Sequence, residues 1–237
     1  MKLAIFDIDG TLTNTNNVDE ECFVTAFAEA HAISRINTNW GAYPHATDSG
    51  ITLHIFQEKF GRHPEETELA RVKRCFVRLL KERHRSDSSS FAEVANASVV
   101  LDRLSREPEW AVAIATGCWR ESALLKLEAA RIDVGSIPAA YAEDGLSREE
   151  ILAAAVSKSL EHYQESGFEK IVSIGDGLWD VHTARRLSYG FLGVGSGESA
   201  LLLRQAGAKH VIEDFADYDQ LIKFLAEAQI PALECLG

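Results

Sequence analysis

Basic residues are outnumbered in this sequence. The chain of 237 residues carries 24 lysines and arginines against 36 aspartates and glutamates, which gives a formal net charge of -12. A surface with this excess of acid repels the phosphates of nucleic acids and the anionic headgroups of membranes. We therefore expect neither nucleic acid nor a membrane among the partners, and the sequence carries no feature that specifies an oligomeric state.

Long apolar runs and patterned cysteines are also missing. The first apolar run is interrupted at Asp7, and no later run is long enough to span a bilayer. This argues against a signal peptide and favours the cytoplasm. The cysteines lack the close pairing of zinc sites and disulfide frameworks, so we expect reduced thiols at Cys22, Cys75, Cys118 and Cys235.

The first apolar run ends in polar residues that suit catalysis. Residues 3–6 have the composition of a buried strand, and Asp7, Asp9, Gly10 and Thr11 follow it. Two buried carboxylates without partners are costly, which predicts a cation, and oxygen ligands favour Mg²⁺. Beside such a cation, Asp7 suits the role of nucleophile towards phosphorus, and Asp9 can give and take the proton.

Two later apolar runs, over residues 110–115 and 170–175, end in the same manner. Their last positions lead into a hydroxyl with a glycine and into a pair of acids, namely Thr116, Gly117, Asp176 and Asp180. The carboxyl ends of parallel strands share one edge of a sheet, so these polar residues should meet there. Strands that alternate with helices predict an α/β, Rossmann-like fold, a parallel sheet with helices on both faces.

The segment between the first two predicted strands has helical rather than strand periodicity. The spacing of apolar residues predicts helices over residues 18–30, after Gly50 and over residues 64–84. The polar run over residues 85–90 is typical of a linker.

These elements divide the chain into two parts. We assign residues 1–14 and 87–237 to a catalytic core and residues 15–86 to a helical insert. Within the core, the pattern predicts helices over residues 97–107 and 148–163, among others.

The polar strand ends carry a resemblance to a known family. Asp7-x-Asp9-Gly10-Thr11-Leu12-Thr13 resembles the first motif of the haloacid dehalogenase superfamily in its phosphatase and phosphomutase form. Thr116-Gly117 is similar to the second motif of that family, and Gly175-Asp176-x-x-x-Asp180 to the fourth.

The resemblance implies a role for each of these residues. Asp7 would form an aspartyl-phosphate, and Asp9 would act as general acid and base. Mg²⁺ would be held by Asp7, by the backbone carbonyl of Asp9 and by Asp176. Asp180 would either bind the ion directly or contact one of its ligands. Residues 15–86 would form a helical cap over the site, and the candidate phosphate-binding residues are Thr116, Gly117 and Thr11.

The chain departs from the family pattern at two places. The third motif normally supplies a lysine, and here that place holds Arg148, which can also balance the charge of Asp7 and the phosphate. Lys158 is the other candidate, although its mid-helix position is typical of a solvated residue. Many relatives carry an aspartate just after the first motif, where this chain has Asn14.

A cluster in the insert is the candidate for choosing the substrate. It consists of Trp40, Tyr43, His45, Thr47 and Asp48. The alternative is that these aromatic residues only pack the insert.

The combined motifs favour magnesium-dependent hydrolysis of a small phosphorylated metabolite. A phosphomutase acting on a sugar phosphate is the nearest alternative, because it needs the same carboxylates. A non-catalytic metabolite-binding protein is a third possibility, although the intact acids argue against it. Dehalogenation would leave Asp9 without a role, and the phosphonate-cleaving relatives lack the second aspartate.

Overall fold

A six-stranded parallel sheet organises residues 1–233, the part of the chain that the computed structural model describes. Its strands are β1 (Lys2–Phe6), β2 (Trp110–Ala115), β3 (Ala139–Ala140), β4 (Lys170–Gly175), β5 (Gly190–Val194) and β6 (His210–Ile212). Their order is β3-β2-β1-β4-β5-β6, and every neighbouring pair is parallel. The predicted α/β, Rossmann-like fold is confirmed.

Nine α-helices accompany these strands in residues 1–233. They are α1 (Asn16–His31), α2 (Asp48–Phe60), α3 (Glu66–Ser86), α4 (Ala97–Leu104), α5 (Arg120–Ala129), α6 (Arg148–Tyr163), α7 (Leu178–Arg186), α8 (Gly197–Gln205) and α9 (Tyr218–Glu227). The first three lie between β1 and β2 in the sequence, where the apolar spacing predicts helices.

Strand β1 lies inside the sheet, between β2 and β4, and is buried on both faces. Ala4 and Phe6 belong to a hydrophobic cluster that includes residues of α4, α5 and α9. Leu3 and Ile5 belong to a second cluster, which includes residues of α6. Successive side chains of a strand point to opposite faces, so a continuous apolar run is what a strand covered by helices on both sides requires.

Helices α1 to α3 share a hydrophobic cluster of their own. Its largest buried side chains include Phe27 of α1, Phe56 of α2 and Phe76 of α3. Trp119, at the start of α5, joins this cluster and is 1% exposed. The inserted helices therefore pack against the core through the segment that follows β2.

Several predicted boundaries are wrong, among them the start of α2, which begins at Asp48 and not after Gly50. Helix α3 continues to Ser86, and a 3₁₀ turn over Ser88–Phe91 replaces the predicted linker, because Asp87 accepts a hydrogen bond from the amide of Ser89 at 3.1 Å. Helix α4 ends at Leu104 rather than at residue 107, because Pro108 disfavours helical backbone just before it.

The structure also bears on the predictions about membrane-spanning segments and cysteines. No helix within residues 1–233 has the length and apolar character needed to cross a bilayer. Cys22, Cys75 and Cys118 are free thiols, and Cys235 lies outside the described residues.

The inserted cluster should contribute strongly to stability. Leu80 of α3 is fully buried, whereas Leu201 of α8 is 53% exposed. We expect Leu80→Ala to lower the free energy of unfolding by roughly 2–5 kcal/mol, because it leaves a cavity. The matched variant Leu201→Ala should change it by about 0.5 kcal/mol or less. Urea unfolding followed by tryptophan fluorescence measures both free energies. Equal losses in the two variants would contradict the claim that the inserted cluster contributes strongly to stability.

Candidate active site

Three aspartates meet at the carboxyl ends of β1 and β4. Asp7 directly follows β1, and its amide donates a hydrogen bond to the Ile174 carbonyl at 3.0 Å. Asp176 directly follows β4, and Asp180 lies in the first turn of α7. One carboxylate oxygen from each of the three aspartates lies within 4.8 Å of those of the other two. The structure therefore brings together three of the predicted metal-binding side chains.

The electrostatics of this group suit a cation. Burial raises the pKa of Asp176 well above its usual range, and repulsion from Asp180 and Asp7 adds to the rise. Burial also raises the pKa of Asp180 to about 7, although Arg148 opposes that rise. The Oδ1 atom of Asp7 is buried and finds no hydrogen-bond partner among the described residues. Three carboxylates grouped in this way supply the oxygen ligands that Mg²⁺, a hard divalent cation, prefers.

Arg148 is the basic residue that contacts these carboxylates. It is the first residue of α6, whose amino terminus is capped by Ser147 and Glu150. Its Nη1 atom donates to Asp7 Oδ2 at 3.0 Å and to Asp180 Oδ1 at 2.9 Å. Burial alone would lower the pKa of the Arg148 guanidinium, but the charges of Asp7 and Asp180 raise it. Arg148 therefore partly balances the acids around Asp7.

Lys158, the other candidate for the third motif, lies elsewhere. Its Nζ atom donates to both carboxylate oxygens of Asp144 at 2.8 Å and to the Ala139 carbonyl at 2.9 Å. Its side chain is 41% exposed. The structure brings Arg148 to Asp7, and it pairs Lys158 with Asp144.

The turn after β1 approaches Asp176 closely. Gly10 has a φ of +70°, and a Cβ atom there would lie 1.9 Å from Asp176 Oδ2. Asn16, the first residue of α1, donates to the same oxygen at 2.8 Å. Asn14, where many relatives have an aspartate, instead donates to the Glu93 carbonyl at 2.9 Å. Asn14 thus ties the segment that enters the insert to the segment that leaves it.

Asp9 faces a different set of partners from Asp7. Its Oδ2 atom accepts from Lys126 Nζ at 2.5 Å and from the Cys118 thiol at 2.8 Å. Its Oδ1 atom accepts from the Thr15 hydroxyl at 2.5 Å. Burial would raise the pKa of Asp9, but the charge of Lys126 and the hydrogen bonds from Lys126, Cys118 and Thr15 together outweigh burial and lower it. The carboxylate of Asp9 is therefore held ionised by a lysine that the sequence analysis did not single out.

The sequence contains a signal for Lys126, because this charged residue falls on the apolar face of α5. It shares the buried face of α5 with Ser122, Ala123 and Leu127, and it is 0% exposed. A lysine on the apolar face of an amphipathic helix is unusual and needs a carboxylate partner. That position was the available signal.

The loop after β2 holds the predicted phosphate-binding residues. The Thr116 hydroxyl accepts from the Cys118 amide at 3.3 Å, and Thr116 is 1% exposed. The Gly117 carbonyl accepts from the Asp48 amide at 2.8 Å, and a Cβ atom at Gly117 would lie 2.8 Å from the Ala46 carbonyl. Only glycine allows the insert to approach this loop so closely.

Thr11, the third predicted phosphate-binding residue, lies in the turn after β1. It is 0% exposed, and its amide donates to the Ile8 carbonyl at 3.2 Å within the turn after β1. Its hydroxyl is buried and finds no hydrogen-bond partner among the described residues.

A cavity of about 220 Å³ lies between the core and the insert. Residues of both contribute to its walls, among them Asp9, Gly117, Arg148, Phe23, Trp40, Thr47 and Asp48. Of the predicted specificity cluster, Tyr43 and His45 line a neighbouring groove instead. Tyr43 stacks on Trp40 with 6.1 Å between the ring centroids.

Asp48 fastens the insert to the core at this cavity. Its Oδ2 atom accepts from the Trp119 amide at 2.8 Å. The Trp119 indole in turn donates to the Ser49 hydroxyl at 2.9 Å. Burial raises the pKa of Asp48 well above its usual range, and the charge of Asp19 adds to the rise. The predicted specificity cluster therefore contributes both to the aromatic packing of the insert and to the wall of the cavity.

Solved structures share this architecture. A hydrolase from Pseudomonas syringae is 21% identical, with a TM-score of 0.71 over 94% of this chain and 98% of that chain. A proposed beta-phosphoglucomutase from Bacteroides vulgatus is 16% identical, with a TM-score of 0.65 over 96% and 89%. A predicted phosphoglycolate phosphatase from Haemophilus somnus is 16% identical, with a TM-score of 0.57 over 94% and 98%. At these identities the likeness concerns the fold.

Comparison of the sequence with family models identifies the family. No curated protein matches the chain. The family model described as haloacid dehalogenase-like hydrolase matches residues 4–194, which contain all three strand ends of the site. The chain belongs to the family of haloacid dehalogenase-like hydrolases.

Proposed function

We propose that the protein is a magnesium-dependent phosphatase that hydrolyses a small phosphomonoester through an aspartyl-phosphate at Asp7. One observation carries the proposal. The Asp7 carboxylate is buried beside Arg148 and two further aspartates, with its Oδ1 atom free of hydrogen bonds to the described residues. A carboxylate oxygen without a proton or a donor is available to attack phosphorus.

In the first step, an Asp7 oxygen forms a bond to phosphorus and the ester bond from phosphorus to oxygen breaks. Asp9, which is ionised in the empty site, takes up a proton when the anionic phosphate binds beside it, and it gives that proton to the leaving alcohol oxygen. In the second step, Asp9 takes a proton from water, whose oxygen attacks the phosphorus of the aspartyl-phosphate. Inorganic phosphate leaves and the Asp7 carboxylate is restored. Asp9 suits this role because its side chain lines the cavity.

The charge of the phosphoryl group needs compensation at this site. Asp7, Asp176 and Asp180 are the side chains that would hold Mg²⁺, with the Asp9 backbone carbonyl as a further ligand. The bound ion would supply positive charge to the phosphoryl oxygens. Arg148 adds a guanidinium that already contacts Asp7 and Asp180, and Thr116 and Gly117 are the proposed phosphate-binding residues.

The cavity also limits the substrate. Its volume of about 220 Å³ suits a small molecule, and Glu20 and Asp19 line it on the side of the insert. Among the described residues, the nearby cations Arg148 and Lys126 each pair with two carboxylates. A second anionic group on the substrate would therefore find acids and no free cation. We infer that the end of the substrate remote from the phosphate is neutral or carries an ammonium group.

A phosphomutase is the second candidate. The likeness to the proposed beta-phosphoglucomutase favours it at the level of the fold. A mutase would return the phosphoryl group from Asp7 to another hydroxyl of the sugar instead of to water. Release of inorganic phosphate separates the two activities.

The proposal is tested with three two-carbon phosphomonoesters that differ only at the remote end. Ethylene glycol monophosphate is neutral there, phosphoethanolamine carries an ammonium and phosphoglycolate carries a carboxylate. We expect inorganic phosphate to be released in the presence of Mg²⁺ and its release to stop in excess chelator. The kcat/KM for phosphoglycolate should be lowest by about tenfold or more, because like charges about 4 Å apart repel by a few kcal/mol near a protein surface.

Each part of this experiment can fail separately. Undiminished phosphate release in excess chelator would contradict the metal dependence. Preference for phosphoglycolate would contradict the inferred substrate class while leaving the phosphatase activity in place. Isomerised sugar phosphate without free phosphate, obtained with a hexose phosphate, would favour the mutase.

The assignment of Arg148 leads to a second prediction. Removing this buried cation leaves Asp7 and Asp180 in uncompensated repulsion, so Arg148→Ala should lower kcat/KM by roughly 10²-fold or more. Arg148→Lys should recover only part of it, because a lysine cannot reproduce the guanidinium geometry. The matched variant Lys158→Ala should retain nearly full activity. If kcat/KM falls in Lys158→Ala and not in Arg148→Ala, the assignment of Arg148 to the third motif is wrong.

A further inference from the structure

Lys126 is a fully buried lysine whose ammonium group has a complete set of acceptors. Its Nζ atom lies 2.5 Å from Asp9 Oδ2, 2.6 Å from Asp19 Oδ1 and 3.1 Å from Cys118 Sγ. The side chain is 0% exposed. An ammonium has three protons to donate, and here each has one acceptor.

These acceptors come from separate parts of the fold. Asp9 lies in the turn after β1, Asp19 lies in the first turn of α1, and Cys118 lies in the loop after β2. Lys126 itself belongs to α5 of the core. One ammonium therefore joins the candidate general acid and base to the first helix of the insert.

Lys126 is the charged member of the set that holds Asp9. The thiol of Cys118 and the hydroxyl of Thr15 donate the other hydrogen bonds to this carboxylate. Burial would lower the pKa of Lys126, but the charges of Asp19 and Asp9 raise it well above its usual range, so the ammonium stays protonated. Hydrogen bonds from a charged donor are the stronger ones, so Lys126 should decide the orientation of Asp9.

We propose that Lys126 is a positioning residue that holds the Asp9 carboxylate at the edge of the cavity and couples it to α1 through Asp19. This inference rests on the proposed phosphatase function. Lys126 does not line the cavity, whereas Asp9 and Asp19 do. It therefore acts on the substrate only through these acids. Its role is separate from that of Arg148, which contacts the other group of acids around Asp7.

The position of Lys126 implies an effect on rate and not on binding. Without the ammonium, Asp9 keeps only its neutral donors and can leave the orientation that proton transfer requires. The groups that contact the phosphate are unchanged. The turnover number kcat should fall while KM stays nearly constant, which distinguishes positioning from a loss of the binding site.

A double-mutant cycle between Lys126 and Asp9 tests the proposal. We expect Lys126→Met to lower kcat by about 10²-fold, in the range for a general acid and base, with KM within about threefold. Combined with Asp9→Asn, it should lower kcat no further than about threefold below Asp9→Asn alone, because both changes remove one function. Lys126→Arg should restore part of the activity. The matched variant Lys158→Met should behave like the unmodified enzyme.

Other results would overturn the proposal. Lys126→Met with normal kcat would do so, and so would losses that multiply in the double variant, because they would indicate a general structural role. If Lys126→Met does not fold, the cycle is measured in the Asp19→Asn background, where removal of one acid with one cation preserves the local net charge. No phosphate release by the unmodified enzyme from any phosphomonoester would overturn the proposed function itself, whereas an active enzyme indifferent to Lys126→Met overturns this inference alone.

Discussion

Two buried cations balance the acids that converge on the carboxyl edge of the sheet. Arg148 pairs with Asp7 and Asp180, and Lys126 pairs with Asp9 and Asp19. Buried charges are costly unless they are paired and hydrogen-bonded, and removing one partner of such a pair typically costs about 3–5 kcal/mol. Helices α5 and α6, which carry the two cations, are therefore held in register with the turn after β1.

The same arrangement makes the insert part of the site. Asn16 of α1 donates to Asp176, the Asp48 amide donates to Gly117, and Arg148 donates to the carbonyl of Ala46 at 3.0 Å. Each contact joins the insert to a residue of the site. Movement of the insert would therefore change the surroundings of both the acids and the cavity. This is the physical basis for proposing that the insert takes part in choosing the substrate.

The sheet and its polar edge were predictable because each strand and the polar residues at its end are adjacent in the sequence. An apolar run that ends at Asp7 or at Asp176 combines a buried strand with charges that need a partner, and local sequence contains both signals. The position of Lys126 on the apolar face of α5 is a local signal of burial, but its partners were not predictable from local sequence, because Asp9 and Asp19 are 117 and 107 positions away. A lysine within a helix is normally solvated, and only the tertiary packing of α1 against the core supplies its acids.

The central claim is that Asp7, and not Asp9, receives the phosphoryl group. The most direct measurement quenches the enzyme during turnover, reduces the acyl phosphate with borohydride and identifies the modified residue by peptide mass spectrometry. A phosphorylated aspartate becomes homoserine under this treatment. We expect homoserine at position 7, with position 9 unmodified. Homoserine at position 9, or steady phosphate release without any reduced aspartate, would contradict it.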